Sequence, residues 1–225
     1  MNPVSKHLLV EAAQKLKPLL GKIAFVGGGI LPTYLPKGFD ANIRVTYDLD
    51  IVIKLAHYGR LEELNERLGK LGFYPDSKSQ IICRYTDQKI VLDVMPTNSE
   101  VLGFSNRWYE VGLINKEWIT LNDIINIPRF TIDYYLATKW EAVEGRGKQD
   151  WRTSKDMEDI ITLTNNGALN QVGSKNRAVH DYLEESFTKL VNHKYAHEII
   201  LSHLSGVDRQ NVNQLIKWIN TFLQK

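Results

Sequence analysis

The sequence predicts an α+β fold: a mixed β-sheet flanked by helices, followed by an all-helical C-terminal half. Three observations carry this expectation. Short apolar runs of strand length alternate with helical patterns up to residue 120. A glycine cluster, Gly27-Gly28-Gly29, joins one such run to a helix start. Past Leu121 the pattern changes to a succession of helix-length amphipathic segments. The expected domains are an α/β core over 1–120 and a helical domain over 121–225.

The elements follow in chain order. Residues 5–20 place Leu8, Leu9, Ala12, Leu16, Leu19 and Leu20 on one helical stripe that Gly21 ends. Lys22 to Val26 reads as a short buried strand, the glycines as a turn, and Ile30 to Leu35 as a short helix with Pro32 tolerated in its first turn. Pro36 to Asn42 is a loop. Arg44 to Leu55 reads as a second strand, continuous in Val, Ile and Leu after Asp50 and therefore central. Tyr58 to Leu71 keeps Leu61, Leu64, Leu68 and Leu71 at helical spacing, closed by Gly72. Gln80 to Thr86 and Lys89 to Met95 form a hairpin about Asp87-Gln88, and residues 101–120 read as more sheet or an extended connection. Helices are expected over Thr131–Glu144, Ser154–Asn165, Lys175–Val191, Tyr195–Leu204 and Asp208–Leu223.

Composition narrows the function classes. With 43% hydrophobic and 24% charged residues the 225-residue chain has the make-up of a soluble globular protein. A net charge of +2 is too small to be a nucleic-acid signature without a local basic patch. The single cysteine, Cys83, allows no internal disulfide, and no apolar run is long enough to span a bilayer, so a cytoplasmic protein without membrane association is expected.

Three aspartates fall in strand-like segments: Asp48, Asp50 and Asp93. Asp48 and Asp50 alternate, so in a strand both point to one face. A carboxylate in an apolar strand is costly unless paired or bound to a cation. Mg²⁺ takes hard oxygen ligands, one or two carboxylates together with substrate phosphates. If the strand of Asp93 lies beside that of Asp50, the three could converge on two metals that activate a hydroxyl and neutralise a leaving pyrophosphate. The plainer reading is that Asp48 caps a strand while Asp93 pairs with an arginine such as Arg44 or Arg84. Gly27, Gly28 and Gly29 offer backbone N–H groups to a phosphate at a helix start. They match neither the P-loop nor the dinucleotide pattern.

The segments FVGGGIL, RVTYDLDIVI and VLDVMP together resemble the nucleotidyltransferase superfamily that includes DNA polymerase beta, and within it the AbiEii/AbiGii-type enzymes of abortive-infection and toxin–antitoxin systems. The shared pattern is a glycine pair, an Arg-x-Ser/Thr-x-Asp-Leu-Asp strand, a later helical lysine and an Asp-x-x-Asp helix. Here these are Arg44 to Asp50, Lys139 within YYLATKWEAVEGRGK, and Asp156-Met157-Glu158-Asp159, over residues 20–165. The resemblance implies a nucleotidyltransferase core that binds NTP and Mg²⁺. Asp48 and Asp50 would be metal ligands, and Asp93 the third carboxylate and a candidate base. Gly27, Gly28, Gly29, Arg44 and Thr46 would border the nucleotide. Lys139 would reach the triphosphate, and Asp156 or Asp159 would complete the site. Gly29 stands where a serine or threonine often follows the glycines, and residues 36–41 look inserted.

Other features carry less. Arg146, Lys148, Arg152 and Lys155 form a basic loop that could meet RNA or simply be solvated, with Trp140 and Trp151 expected to pack. His193, His197 and His203 lack a zinc motif and are expected at the surface or in packing. Two classes of function follow. One is a Mg²⁺-dependent transferase moving NMP from an NTP to an acceptor hydroxyl, on an RNA (tRNA) 3′ end or a protein. The other is a catalytically weak or inactive binding module of the same fold, a partner of a cognate antitoxin or similar protein. A nuclease or phosphodiesterase using the same carboxylates is a third option.

Overall fold

The computed structural model describes residues 4–36, 44–55, 59–103, 105–145, 150–173 and 176–224. It is α+β, and its chain divides into two compact units: Met1–Leu31 with Arg44–Thr131, and Pro32–Ile43 with Ile132–Lys225.

The first unit is built on a seven-stranded mixed sheet. Its strands are β1 (Ile23–Val26), β2 (Leu49–Ile53), β3 (Tyr74–Pro75), β4 (Arg84–Thr86), β5 (Val91–Pro96), β6 (Glu117–Leu121) and β7 (Ile125–Arg129), in the order β3-β4-β5-β2-β1-β7-β6. As its apolar run implies, β2 lies in the middle, antiparallel to β1 and parallel to β5. Ile23, Ala24, Phe25, Ile51, Val52 and Leu92 are fully buried. Helix α1 (Lys6–Lys15) starts at Ser5, whose hydroxyl accepts from the Leu8 N–H at 3.1 Å, and buries the expected Leu8, Leu9 and Ala12. Helix α2 (Gly27–Ile30) begins on the glycines themselves, and α3 (Gly59–Lys70) fills the third helical pattern.

Several elements differ from expectation. Residues 44–48 are not part of a strand, so β2 begins only at Leu49 and Asp48 precedes it. The β4–β5 hairpin forms about Asp87-Gln88, with Gln88 at φ 78, but its first strand starts at Arg84 rather than Gln80. Much of 101–120 is helical instead: α4 (Ser99–Leu102), capped by Asn98 and ended by Gly103 at φ 77, and α5 (Tyr109–Ile114) precede β6. The sheet also extends beyond residue 120, because β7 closes a hairpin with β6 through Asn122 and Asp123, both at positive φ. Pro128 is tolerated there, since the ladder between β7 and β1 touches β7 only at Arg129.

The second unit is helical, as expected: α6 (Ile132–Gly145), α7 (Lys155–Asn165), α8 (Arg177–Val191), α9 (Ala196–Ser202) and α10 (Val212–Phe222). Helix α6 is buried from Ile132 to Trp140 and packs on α7 and α8. Its Trp140 meets Phe187 edge-on at 5.3 Å, and Phe187 meets Phe222 at 5.8 Å. Val212, Leu215, Ile219 and Phe222 form the buried stripe of α10. Among the described residues no helix is long and apolar enough to cross a membrane.

Candidate carboxylate site

The sheet register sets the site. Asp50 of β2 is flanked by Val26 of β1 on one side and Asp93 of β5 on the other, and Asp93 is in turn opposite Arg84 of β4. Register partners on neighbouring strands share a face. The conditional expectation about β5 is therefore met: the strand of Asp93 does lie beside that of Asp50, and the two aspartates form one row with Arg84.

Arg84 dominates the electrostatics of that row. Its Nε donates to Asp93 Oδ1 at 2.8 Å and its Nη2 to Asp93 Oδ2 at 2.7 Å, a bidentate fork. Nη2 also donates to Asp48 Oδ2 at 2.7 Å. The other Asp48 oxygen accepts from the Thr46 hydroxyl at 3.0 Å. The Arg84 side chain is 13% exposed and that of Asp93 6%, against 37% for Asp48. The hydrogen bond to Asp93 is the main cause of an upward shift in the Arg84 pKa, so the guanidinium stays charged at any ordinary pH. Next to it Cys83 is buried, and burial with the nearby Asp93 charge pushes its thiol up to about 11, which leaves it protonated and a poor nucleophile at neutral pH.

The glycine turn packs against the same segment. Gly27 has φ 69, and a Cβ there would fall 1.8 Å from Asp50 Oδ2, so the carboxylate lies directly over the glycine. A Cβ on Gly28 would come within 2.9 Å of Arg44 Nη2, which puts the Arg44 guanidinium over the second glycine and Thr46 beside it. Gly29 is closed in by Leu49 and the Asp48 carbonyl. All seven residues that the pattern singled out between 27 and 50 are thus gathered around one turn.

The carboxylates suit a divalent cation only in part. Asp48 and Asp50 supply hard oxygens near the turn, but both Asp93 oxygens already accept from Arg84. Among the described residues the one group of three whose ligand atoms all lie within 4.8 Å of one another is His180, Asp181 and Glu184 on α8, not the aspartate row. Asp48 and Asp50 are the two carboxylates that could hold a cation, with the Asp48 oxygens also accepting from Arg84 and Thr46. In this arrangement the positive charge beside Asp93 comes from Arg84 rather than from a second ion.

Comparison with protein-family models and with curated proteins finds no match.

In the second unit the remaining pattern residues form a group of their own. Lys139 of α6 is buried, with its ammonium 2.6 Å from Asp159 Oδ2 and 3.3 Å from Asp156 Oδ1 on α7. It also lies 5.6 Å from the Tyr135 ring centroid. Ser154 caps α7 through the Met157 N–H, which fixes the turn that carries Asp156. A buried ammonium with two buried carboxylates breaks badly when one member is removed. Lys139→Met is expected to lower stability by about 3 kcal/mol, read as the shift in urea-unfolding midpoint. Asp159→Asn, which keeps a hydrogen-bond acceptor, should cost clearly less.

The other candidates are structural here. Trp140 is fully buried, and Trp151 stacks on His193 at 5.4 Å, so both pack as expected. His203 Nε2 donates to the Trp151 carbonyl, 2.7 Å away, and burial lowers its pKa. Arg152 is committed to Asp150 and Glu198, while Arg146 and Lys148 lie outside the described residues. Residues 37–41 of the apparent insertion are outside them as well. What sequence reasoning missed is a pocket at the far end of β2, whose Lys22, Lys54 and Arg67 carried no motif.

Proposed function

We propose that this protein is a nucleotidyltransferase of the AbiEii type that moves an NMP from an NTP to an acceptor hydroxyl. The observation that carries the reading is the register of Asp50 with Asp93 beside the Gly27 turn, since it gathers the glycine, arginine and carboxylate motifs at one place in the sheet. In such a transfer the acceptor hydroxyl gives up its proton to water, its oxygen forms a bond to the α-phosphorus, the α–β phosphoanhydride breaks, and pyrophosphate leaves. Asp48 and Asp50 would hold a Mg²⁺ ion, which when bound supplies positive charge for the triphosphate. The backbone N–H groups of the glycine turn and the Arg44 guanidinium beside Gly28 would orient phosphate oxygens. Asp93, with both oxygens on Arg84, enters as the residue that fixes Arg84. Lys139, with Asp156 and Asp159, is assigned to the same activity by the resemblance alone.

A second reading is favoured by a specific observation. Arg84 forks Asp93 and also donates to Asp48, so two of the three candidate carboxylates already face a protein counter-charge, as they would in a binding module that has lost catalysis. One experiment separates the two. The protein is incubated with Mg²⁺, each labelled NTP in turn, and either total RNA or a cell extract. Incorporation of label into RNA or protein is expected with at least one NTP. No incorporation from any of the four, together with calorimetry that detects no NTP binding, would overturn the transferase reading and leave the module.

A further inference from the structure

The first unit contains a cavity of about 410 Å³ at the end of β2 remote from Asp48, lined by Leu19, Lys22, Ile53, Lys54, Leu55, Glu63, Leu64 and Arg67. Its volume lies in the lower part of the range, roughly 300–1,000 Å³, that small-molecule sites occupy. Leu19, Ile53, Leu55 and Leu64 are all buried, so the floor is aliphatic. The rim is cationic. Lys54 has its ammonium 2.6 Å from Glu110. Lys22 and Arg67 have no carboxylate partner among the described residues. With Lys54 paired, Lys22 and Arg67 supply the positive charge at the mouth.

Lys116, outside the pocket lining, holds the backbone that carries Lys22. Lys116 donates to the carbonyls of Gly21 at 2.7 Å and Ile23 at 2.9 Å, the two residues that flank Lys22. This ammonium is partly buried, is held by carbonyls alone, and has its pKa lowered by burial. The planar fork of Arg67 suits a carboxylate.

From this we infer that the pocket between β2 and α3 binds a small amphiphilic monocarboxylate, its aliphatic body on the leucine and isoleucine floor and its carboxylate on Lys22 and Arg67. This ligand class is separate from the nucleotide reading and does not depend on it. An aliphatic body displaces water from the apolar floor, which favours binding.

The full chain is titrated by calorimetry with decanoate, decan-1-ol and decyltrimethylammonium, each below its aggregation limit. Saturable one-to-one binding of decanoate is expected, at least tenfold tighter than the alcohol and with no binding of the cation. The variant Lys22→Glu/Arg67→Glu changes only exposed side chains, so its circular dichroism and melting temperature should match those of the parent. It should bind decanoate at least tenfold more weakly. The Leu55 and Leu64 methyl resonances should shift with decanoate in the parent. Equal binding of all three probes, decanoate affinity unchanged by the charge reversal, or no binding at millimolar ligand would each overturn the inference.

Discussion

Alanine at both Asp48 and Asp50 is expected to remove nucleotide incorporation, by at least a thousandfold, while the protein stays folded. The fold should survive because Asp48 is more than a third exposed and contributes one of three bonds to Arg84. The fork from Arg84 to Asp93 remains, so the buried guanidinium keeps its counter-charge. Asp50 sits over Gly27 at the margin of the turn. The loss of activity follows because both proposed metal ligands go at once, and residues acting as a unit do not lose function additively. Labelled-NTP incorporation and far-UV circular dichroism, measured on the same preparation, check the two halves. A folded variant with unchanged incorporation would place the chemistry elsewhere.

Arg84→Ala produces the largest loss of stability we expect anywhere in the first unit, about 3–5 kcal/mol. Asp93 lies in β5 between the buried Leu92 and Val94 and is itself nearly buried. Stripping its guanidinium leaves an uncompensated charge in an apolar strand, the costly half of breaking a buried pair. A urea midpoint reads the effect. Arg84→Lys should recover only part of it, since an ammonium cannot make the fork to both Asp93 oxygens. Adding millimolar Mg²⁺ to Arg84→Ala is expected to raise its midpoint, because a divalent cation can supply charge where the guanidinium did. No rise would show that Asp93 lies outside the reach of any metal held by Asp48 and Asp50.

How much of this was legible in the chain depends on range. The five C-terminal helices were readable because their apolar stripes are long and periodic, and Ser154 was visible as a cap ahead of Asp156 and Asp159. The stretch 101–114 misled because Trp108, Tyr109 and Val111 are residues that strands favour, whereas the local capping signals, Asn98 and Gly103, were the better guide. Strand β7 was hidden by Asn126 and Pro128, which interrupt its apolar run; only the partner strand makes those positions tolerable. Asp48 falls in the strand expected over Arg44–Leu55, but the apolar run behind that expectation begins only after Asp50, and nothing local supplies a partner strand for residues 44–48. At the site, the aspartates and glycines could be picked out by motif. That Arg84 rather than Arg44 takes Asp93 depends on β4 lying next to β5, which no local pattern encodes.

The row of Asp50, Asp93 and Arg84 across three strands has a consequence for how the sheet assembles. Strand pairing repeats every two residues, so β5 sliding by one position against β2 would turn Asp93 to the opposite face and bring Leu92 or Val94 opposite Asp50. That slip would leave Asp93 among apolar side chains and Arg84 without its fork. A flat ladder of valines and leucines would tolerate the wrong alignment far better. The charged row therefore acts as a ratchet tooth during folding, rejecting misaligned pairings of the central strands before the core closes around them.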